Sequence, residues 1–401
     1  MRISTETFFR QFTHSLQNQQ SGIAKLQEQL SYGRRVITPS DDPVGAARIV
    51  NIGQLLGRVD QFSRNADYAT QRLGVEEATL SSVTNLMQRV RELAISASNL
   101  GTQSPETFAA IRVEVEQLYQ EALNLGNTQD SNGEYLFSGF QGQTRAFSST
   151  VAGVQYNGDQ GQLKLQVGSE KYIGVSDSGY DIFMNIKNGN GRFSTSLNAG
   201  NTGNGVMAPG SVVDSTAFQT HDFTVQFTSD TTYDVIDNTA GAAIITGATY
   251  TDGAVIGFNG IETSISGTVQ TGDEFYVNAS RNQDVFSTLK NFLDALGNYP
   301  NNDQLRAQTR QQLQSVLQDT DQTLNHIIVS RAEIGTRLNS IDVSNEENES
   351  IAFELTRNMS DIRDLDYAEA ISTLQFQLTS LSAAEQSFSA IQQLSLFDYI
   401  R

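Results

Sequence analysis

The side chains that could do chemistry are few and badly placed for it. His14, His221 and His326 are the three histidines, and each stands alone, with no HExxH and no second ligand at metal-binding spacing. His14 and His326 fall on expected helices, where packing or surface roles suffice. Asp364 and Asp366 form a carboxylate pair, but two positions apart on an expected helix they point in different directions and cannot share acid–base work. Asp130, Asn132 and Gly133 are spaced as in a calcium loop. Thr128 then stands at the first position and Gly139 at the twelfth, which leaves no strong site. Gly203, Gly205 and Ala208 fit the pattern GxGxxA, yet no strand is expected before them and Pro209 follows, so they read as a loop. Cysteine is absent, which removes thiolate nucleophiles, disulfides and Cys-based zinc sites. No catalytic residue, metal or cofactor is expected, and the chain reads as a non-enzyme.

Charge narrows the partners. The 401 residues carry a formal net charge of −19, which opposes binding to nucleic acid or to an anionic membrane surface. No apolar run approaches a membrane span. The start MRISTETFFRQFTHS lacks the continuous apolar core and small-residue cleavage site of a secretory signal. The chain is expected to be cytoplasmic or exported without cleavage, and its length allows two or three domains.

The elements left to explain are helical ends around a β-rich middle. Ser4 to Tyr32 is predicted as a helix with Phe9, Leu16, Ile23 and Leu30 seven apart and Phe12, Gln19 and Leu26 in the companion row. Such a rod is roughly 40 Å long at the standard rise. No charged residue occurs from Gln11 to Ala24. The last fifty residues repeat the anomaly. Apolar side chains recur at Ile371, Leu374, Leu378, Leu381, Phe388, Ile391 and Leu394, and Glu385 is the one charge between Ala370 and Phe397. Neutral amides and hydroxyls can be buried at far lower cost than charges, so both faces suit later packing against neighbours. Neither Pro nor Gly interrupts the chain after Ser340, which predicts one helix through Ile351–Ile400. The first 35 residues are net positive and the stretch from Ile341 onward is net negative, so the two ends are complementary. The three-residue steps at Leu365, Ala368, Ile371 and Leu374 favour packing among several helices over one two-stranded coil.

Between the ends, Gly33 closes the first helix. Ser40, Asp41 and Asp42 before Pro43 read as an N-cap cluster opening a long helix that stops at Gly101. Further helices are predicted from Ser104–Pro105 to Gly126, from Val285 to Leu296, and from about Asn302 to Asn339. Of the 32 glycines, 23 lie between Gly126 and Gly272. Strands are predicted there at Gln162–Val167, Lys171–Val175, Phe223–Phe227, Thr232–Ile236, Gly257–Ile265 and Glu274–Val277, with Asn188–Gly210 a loop or hinge between two β units.

Several separated blocks carry a resemblance. LSYGRRVITPSDDPVGAA (Leu30–Ala47), NGEYLFSG (Asn132–Gly139), SRAEIGTRLN (Ser330–Asn339) and SDIRDLDYAEAI (Ser360–Ile371) resemble signatures of the bacterial flagellin superfamily. GFNGIETSISG (Gly257–Gly267) and GDEFYV (Gly272–Val277) resemble further blocks. The start MRIST, the end LSLFDYI and Pro43 are similar to the hook–filament junction branch rather than to flagellin. The signature residues are Gly33, Pro39, Ser40, Asp41, Asp42, Pro43, Asp364, Asp366 and Tyr367.

The resemblance implies an α+β multidomain fold in which the N- and C-terminal segments form a long antiparallel helical bundle or coiled coil around a middle all-β insert. Residues 1–40 and 360–401 would be paired assembly segments. Residues 41–139 with 284–359 would form a helical core, and 140–283 the outer insert, divided near 188–210. The implied interface is Phe9, Phe12, Leu16, Ile23, Leu26 and Leu30 with the seven apolar positions of the last helix. Implied partners are copies of the chain in a ring, a neighbouring junction protein, flagellin, and an export chaperone on the C-terminal helix. A flagellin subunit or a secreted coiled-coil adhesin are the alternatives.

Overall fold

A computed structural model describes residues 5–99, 103–151, 153–297 and 299–399. Three helices open the chain: α1 (Thr5–Tyr32), α2 (Pro43–Ser98) and α3 (Pro105–Gly126). Their ends follow local chemistry. Gly33 takes φ 65°, and the Arg34 N–H reaches back to Gln29 O at 3.2 Å, a Schellman-type stop. Ser104 caps α3 by accepting from Thr107 N, with Pro105 in the first turn.

Short strands follow. β1 (Phe147–Thr150) pairs with β2 (Gly153–Tyr156), and β3 (Lys164–Gln166) with β4 (Tyr172–Gly174). A single π turn at Tyr180–Met184 leads to β5 (Ile186–Lys187). Then come β6 (Phe193–Leu197), β7 (Val206–Met207), β8 (Ser211–Val212), β9 (Phe223–Ser229), β10 (Thr232–Asp237) and β11 (Ala242–Thr249). β12 (Val255–Phe258), β13 (Ile261–Ser266), β14 (Glu274–Ala279) and β15 (Asn282–Gln283) complete the set. The main sheet is antiparallel in the order β11-β10-β9-β14-β6, and β13 lies between β12 and β7 while also pairing with β8. Helix returns as α4 (Val285–Ala295), α5 (Asp303–Arg363) and α6 (Tyr367–Tyr399).

The chain divides into two compact units, one of Met1–Arg64 with Ser344–Arg401 and one of Asn65–Val343. The second holds two hydrophobic clusters. In one, Leu73, Leu80 and Met87 of α2 meet Phe108 and Val115 of α3, Phe286 and Phe292 of α4, and Leu313 and Ile334 of α5. The β1–β5 region packs on the same cluster through Phe147, Ile173 and Phe183. Ring centroids of Phe147 and Phe286 lie 5.1 Å apart, and those of Phe147 and Phe183 5.3 Å. Gly126 is required there, because a Cβ would sit 2.8 Å from the Phe147 ring. The other cluster belongs to the later strands, with Phe223, Val225, Phe227, Val235, Ile265, Phe275 and Val277 fully or almost fully buried. Alternation along β9, β10 and β14 aims these residues to one side of the pleat.

Several expectations need correction, and first the helix expected to end at Asn339 continues unbroken as α5 to Arg363. The last fifty residues are not one helix: α5 ends at Arg363 and α6 starts at Tyr367. The interruption is tertiary, since Leu365 N donates to Gly33 O at 3.1 Å and Arg34 bridges Asp364 in a short antiparallel pairing. Asn188–Gly210 is not simply a loop, because β6 forms one edge of the main sheet and β7 pairs with β13. The strand is hidden in FSTSL by a buried Thr195 where an apolar residue is usual. Gly257–Ile265 is not one strand but the hairpin of β12 and β13, turned at Asn259 (φ 47°) and Gly260 (φ 75°).

Candidate assembly interface

The terminal unit is built from two amphipathic helices that run antiparallel. Phe12 stacks on Phe388 with centroids 4.5 Å apart, and Phe9 meets the same ring edge-on at 5.2 Å. One turn pair further along, Gln19 Nε2 donates to Ser380 Oγ at 2.9 Å. The polar break in the heptad is thus answered by a polar residue on α6, which fixes register. A Cβ on Gly22 would lie 3.6 Å from Gln377 Oε1, and Ile23 is the buried member of the α1 stripe. The Gln377 Oε1 atom is buried without a hydrogen-bond partner.

Below the helix pair lies a clasp made by the signature residues. Arg35 N donates to Arg363 O at 2.7 Å, and Arg35 Nη2 to Ile362 O at 2.7 Å. Val36 is buried beside them. Asp41 accepts from Ile37 N and Thr38 N at 3.1 and 2.8 Å and pairs with Lys25 Nζ at 2.8 Å. Lys25 first, and these amides after it, hold the Asp41 carboxyl well below the usual carboxylate range. Asp42 caps α2 through Gly45 N at 2.8 Å, with Pro43 as the first helical residue. Ser40 contacts the Thr38 hydroxyl at 2.7 Å, and Pro39 is exposed. On the other strand, Arg363 and then Ser360 depress Asp364, while Asp366 caps α6 by accepting from Ala368 N and Glu369 N. Asp364 and Asp366 therefore sit in the interruption, not on a helix as expected. Gly33 is required: a Cβ would lie 2.6 Å from the Tyr367 hydroxyl.

The expected interface residues separate into two groups. Phe9, Phe12, Leu16, Leu26 and Leu30 on α1, and Leu374, Leu381 and Phe388 on α6, are partly covered, with Ile23 buried. Ile371 and Leu378 are 47% and 45% exposed, and neighbouring Phe376 is 74% exposed. Ile371 and Leu378 flank the covered Leu374 and Leu381, and Phe376 lies on the opposite side of α6. The side chains of Ile391 and Leu394 lie outside the described residues. Sequence reasoning did not single out Lys25, Arg35, Arg363, Phe376 or Gln377. Lys25 had a signal, as the first charge after a long charge-free run; the backbone contacts of Arg35 and Arg363 had none.

In the second unit the remaining family-like blocks act as stitches. Glu134 of Asn132–Gly139 lies 3.4 Å from Arg72, and Phe137 is fully buried. Arg331 and Arg337 of Ser330–Asn339 pair with Glu77 and Asp177, each at 2.6 Å. The residues considered for chemistry are structural here. Asp130 pairs with Arg72 at 2.6 Å and turns its own loop by accepting from Asn132 N and Glu134 N. His221 Nδ1 meets Asp237 Oδ2 at 2.7 Å, and His326 Nε2 the Asp181 carbonyl at 2.7 Å. A Cβ on Gly205 would press on the Phe275 ring at 2.9 Å, so that glycine serves packing. Among the described residues no group of three or more His, Cys, Asp or Glu could hold a metal ion, and no helix is long and apolar enough to cross a membrane.

Comparison with known proteins places this arrangement. Residues 3–142 match the bacterial flagellin N-terminal helical region, and residues 196–279 the D2-like domain of flagellar hook-associated protein 1. Flagellar hook-associated protein 3 of Escherichia coli strain K12 is 28% identical over 397 residues, covering 99% of both chains. The crystal structure of Xanthomonas campestris FlgL is 34% identical, with a TM-score of 0.73 over 77% of this chain and 99% of its own. The chain belongs to the flagellar hook-associated protein 3 (FlgL) family. The flagellar junction protein FlgL from Legionella pneumophila is also similar, at 29% identity and a TM-score of 0.71 over 79% of this chain and 99% of its own. Within the FlgL family setting, the α1–α6 pair and its clasp are the element to explain functionally, because their exposed apolar side chains have no partner among the described residues of the subunit.

Proposed function

We propose that the chain is a structural subunit of the bacterial flagellum that forms a ring joining the hook, through a neighbouring junction protein, to the flagellin filament. In this reading, residues 1–40 and 360–401 form the inner layer around the export channel. Residues 41–139 with 284–359 form the helical core, and residues 140–283 face outward. The observation that carries it is the exposure of Ile371, Phe376 and Leu378 on a helix that already covers α1 through Leu374, Leu381 and Phe388. Burying each such side chain fully contributes on the order of 1.5–3 kcal/mol. Helices of neighbouring copies supply that cover, and their Gln and Ser faces can enter without stranded charges. Before assembly the same side chains suit an export chaperone. The chain would leave the cell through the flagellum's own export pathway without signal cleavage, and its work is assembly rather than catalysis.

An antibody raised against residues 193–279 tests this on intact flagella. One narrow band between hook and filament is expected. Labelling along the whole filament would instead make the chain a flagellin subunit, the second reading, with which it shares the match of residues 3–142.

A further inference from the structure

Glu76, on α2, has no exposed surface, and no hydrogen-bond donor reaches its carboxyl oxygens, while the Asp177 carboxyl lies near enough to share its proton. Two guanidinium groups are close enough to act on it, and each directs a terminal nitrogen to another carboxylate, although Arg72 Nε has no partner. Arg72, one turn earlier, directs Nη1 to Asp130 at 2.6 Å and to Glu134 at 3.4 Å. Arg337 of α5 directs Nη2 to Asp177 at 2.6 Å. The third charged neighbour is Asp177 itself, in the loop after β4, which also accepts from Gln162 Nε2 at 3.1 Å. An ionised Glu76 would therefore be buried beside a like charge with no counterion of its own, a state that desolvation and repulsion both disfavour.

We propose that Glu76 is built into the fold as the neutral acid, so that the junction of α2, the loop after β4 and α5 closes with a proton bound and loosens when that proton is lost. Burial first, and Asp177 second, strengthen its hold on the proton against the opposing pull of Arg337 and Arg72. The unfolded chain releases this proton above about pH 4, the ordinary range for Glu. The stabilising contribution is complete below that point and is lost as pH rises through the folded value.

Urea unfolding of the full chain from mildly acid to alkaline pH, with and without Glu76→Gln, tests the proposal. The amide keeps the shape and cannot ionise. In the window where only the unfolded chain has lost the proton, the unfolding constant of the unsubstituted protein should rise about tenfold per pH unit more steeply than that of the variant. Identical slopes would overturn the proposal. If Glu76→Gln does not fold, infrared spectra at about pH 8, far above the ordinary carboxyl range, decide the matter. The folded protein should show a protonated-carboxyl band that vanishes in urea. The band should survive Asp319→Asn, which removes another carboxyl that burial pushes up. Absence of the band, or its loss in Asp319→Asn, would overturn the proposal.

Discussion

The two units of this chain are both rich in helix and differ in what their helices are packed on. In Asn65–Val343, whole rows of Leu, Val and Phe on α2, α3, α4 and α5 are fully buried, and four phenylalanines interlock at the base of the strands. In Met1–Arg64 with Ser344–Arg401, the buried hydrophobic residues among those described are Ile23, Val36, Val59 and Ala370. Ile351, Phe353, Ile371, Phe376 and Leu378 are exposed in that same unit. Isolated helices are marginal in water and owe most of their stability to tertiary cover. One unit therefore carries its own core, while the other holds helices that leave much of their apolar surface exposed. Composition follows the same split. A helix that stays on the surface normally carries charges, whereas the polar positions of α6 are mostly Gln and Ser.

The comparison is broken most severely by charge on α6. Leu378→Asp with Leu381→Asp should abolish junction assembly while leaving the thermal unfolding of Asn65–Val343 unchanged. A variant that still joined hook to filament would remove the assembly role of this helix. A matched pair of truncations comes next. Phe286→Ala should destabilise the subunit by about 3–5 kcal/mol and lower its melting temperature by several degrees. Phe388→Ala, on a half-covered ring, should cost the isolated subunit less than about 1 kcal/mol and show its effect on assembly. Equal losses of stability would mean that the two units are packed alike. Smaller than the loss from Phe286→Ala is that from Gly33→Ala, which forces a left-handed φ on a residue with a Cβ and presses on Tyr367. It should cost about 1–2 kcal/mol, read as faster exchange at the Arg35 and Leu365 amides alone.

The mildest test is acid. Asp41 and Asp364 are both held below their ordinary range, by Lys25 and by Arg363 respectively. Their contribution to the clasp is present above the ordinary carboxylate range of about pH 4 and is lost as pH falls through their lower folded values. Exchange at the Ile37 and Thr38 amides should rise only in strong acid, and Asp41→Asn should remove that pH dependence.

Much of the helical framework is legible in the residues because it is written locally. Gly33, the Ser104–Pro105 pair and Asp284 mark helix ends by chemistry that needs no tertiary partner, and the structure uses all three. The interruption at Asp364–Asp366 is invisible for the opposite reason. It contains neither Pro nor Gly and exists because a chain segment more than 300 positions away, Gly33–Val36, pairs with it. On α6 the four apolar positions Ile371, Leu374, Leu378 and Leu381 share one stripe, but α1 covers only the side holding Leu374 and Leu381. β11 escaped notice because its side chains are largely exposed, so Ala242–Thr249 shows no apolar–polar alternation although half of it is β-branched. Glu76 reads as a solvated helix position until the neighbouring elements close over it.

The central claim is that the terminal helices are ordered by their neighbours. Hydrogen exchange on the isolated subunit and on assembled junctions measures it directly. Amides across Phe9–Leu30 and Leu374–Phe388 should exchange quickly in the isolated subunit and become protected on assembly, with Asn65–Val343 protected in both. Strong protection of both terminal stretches in the isolated subunit would contradict the account.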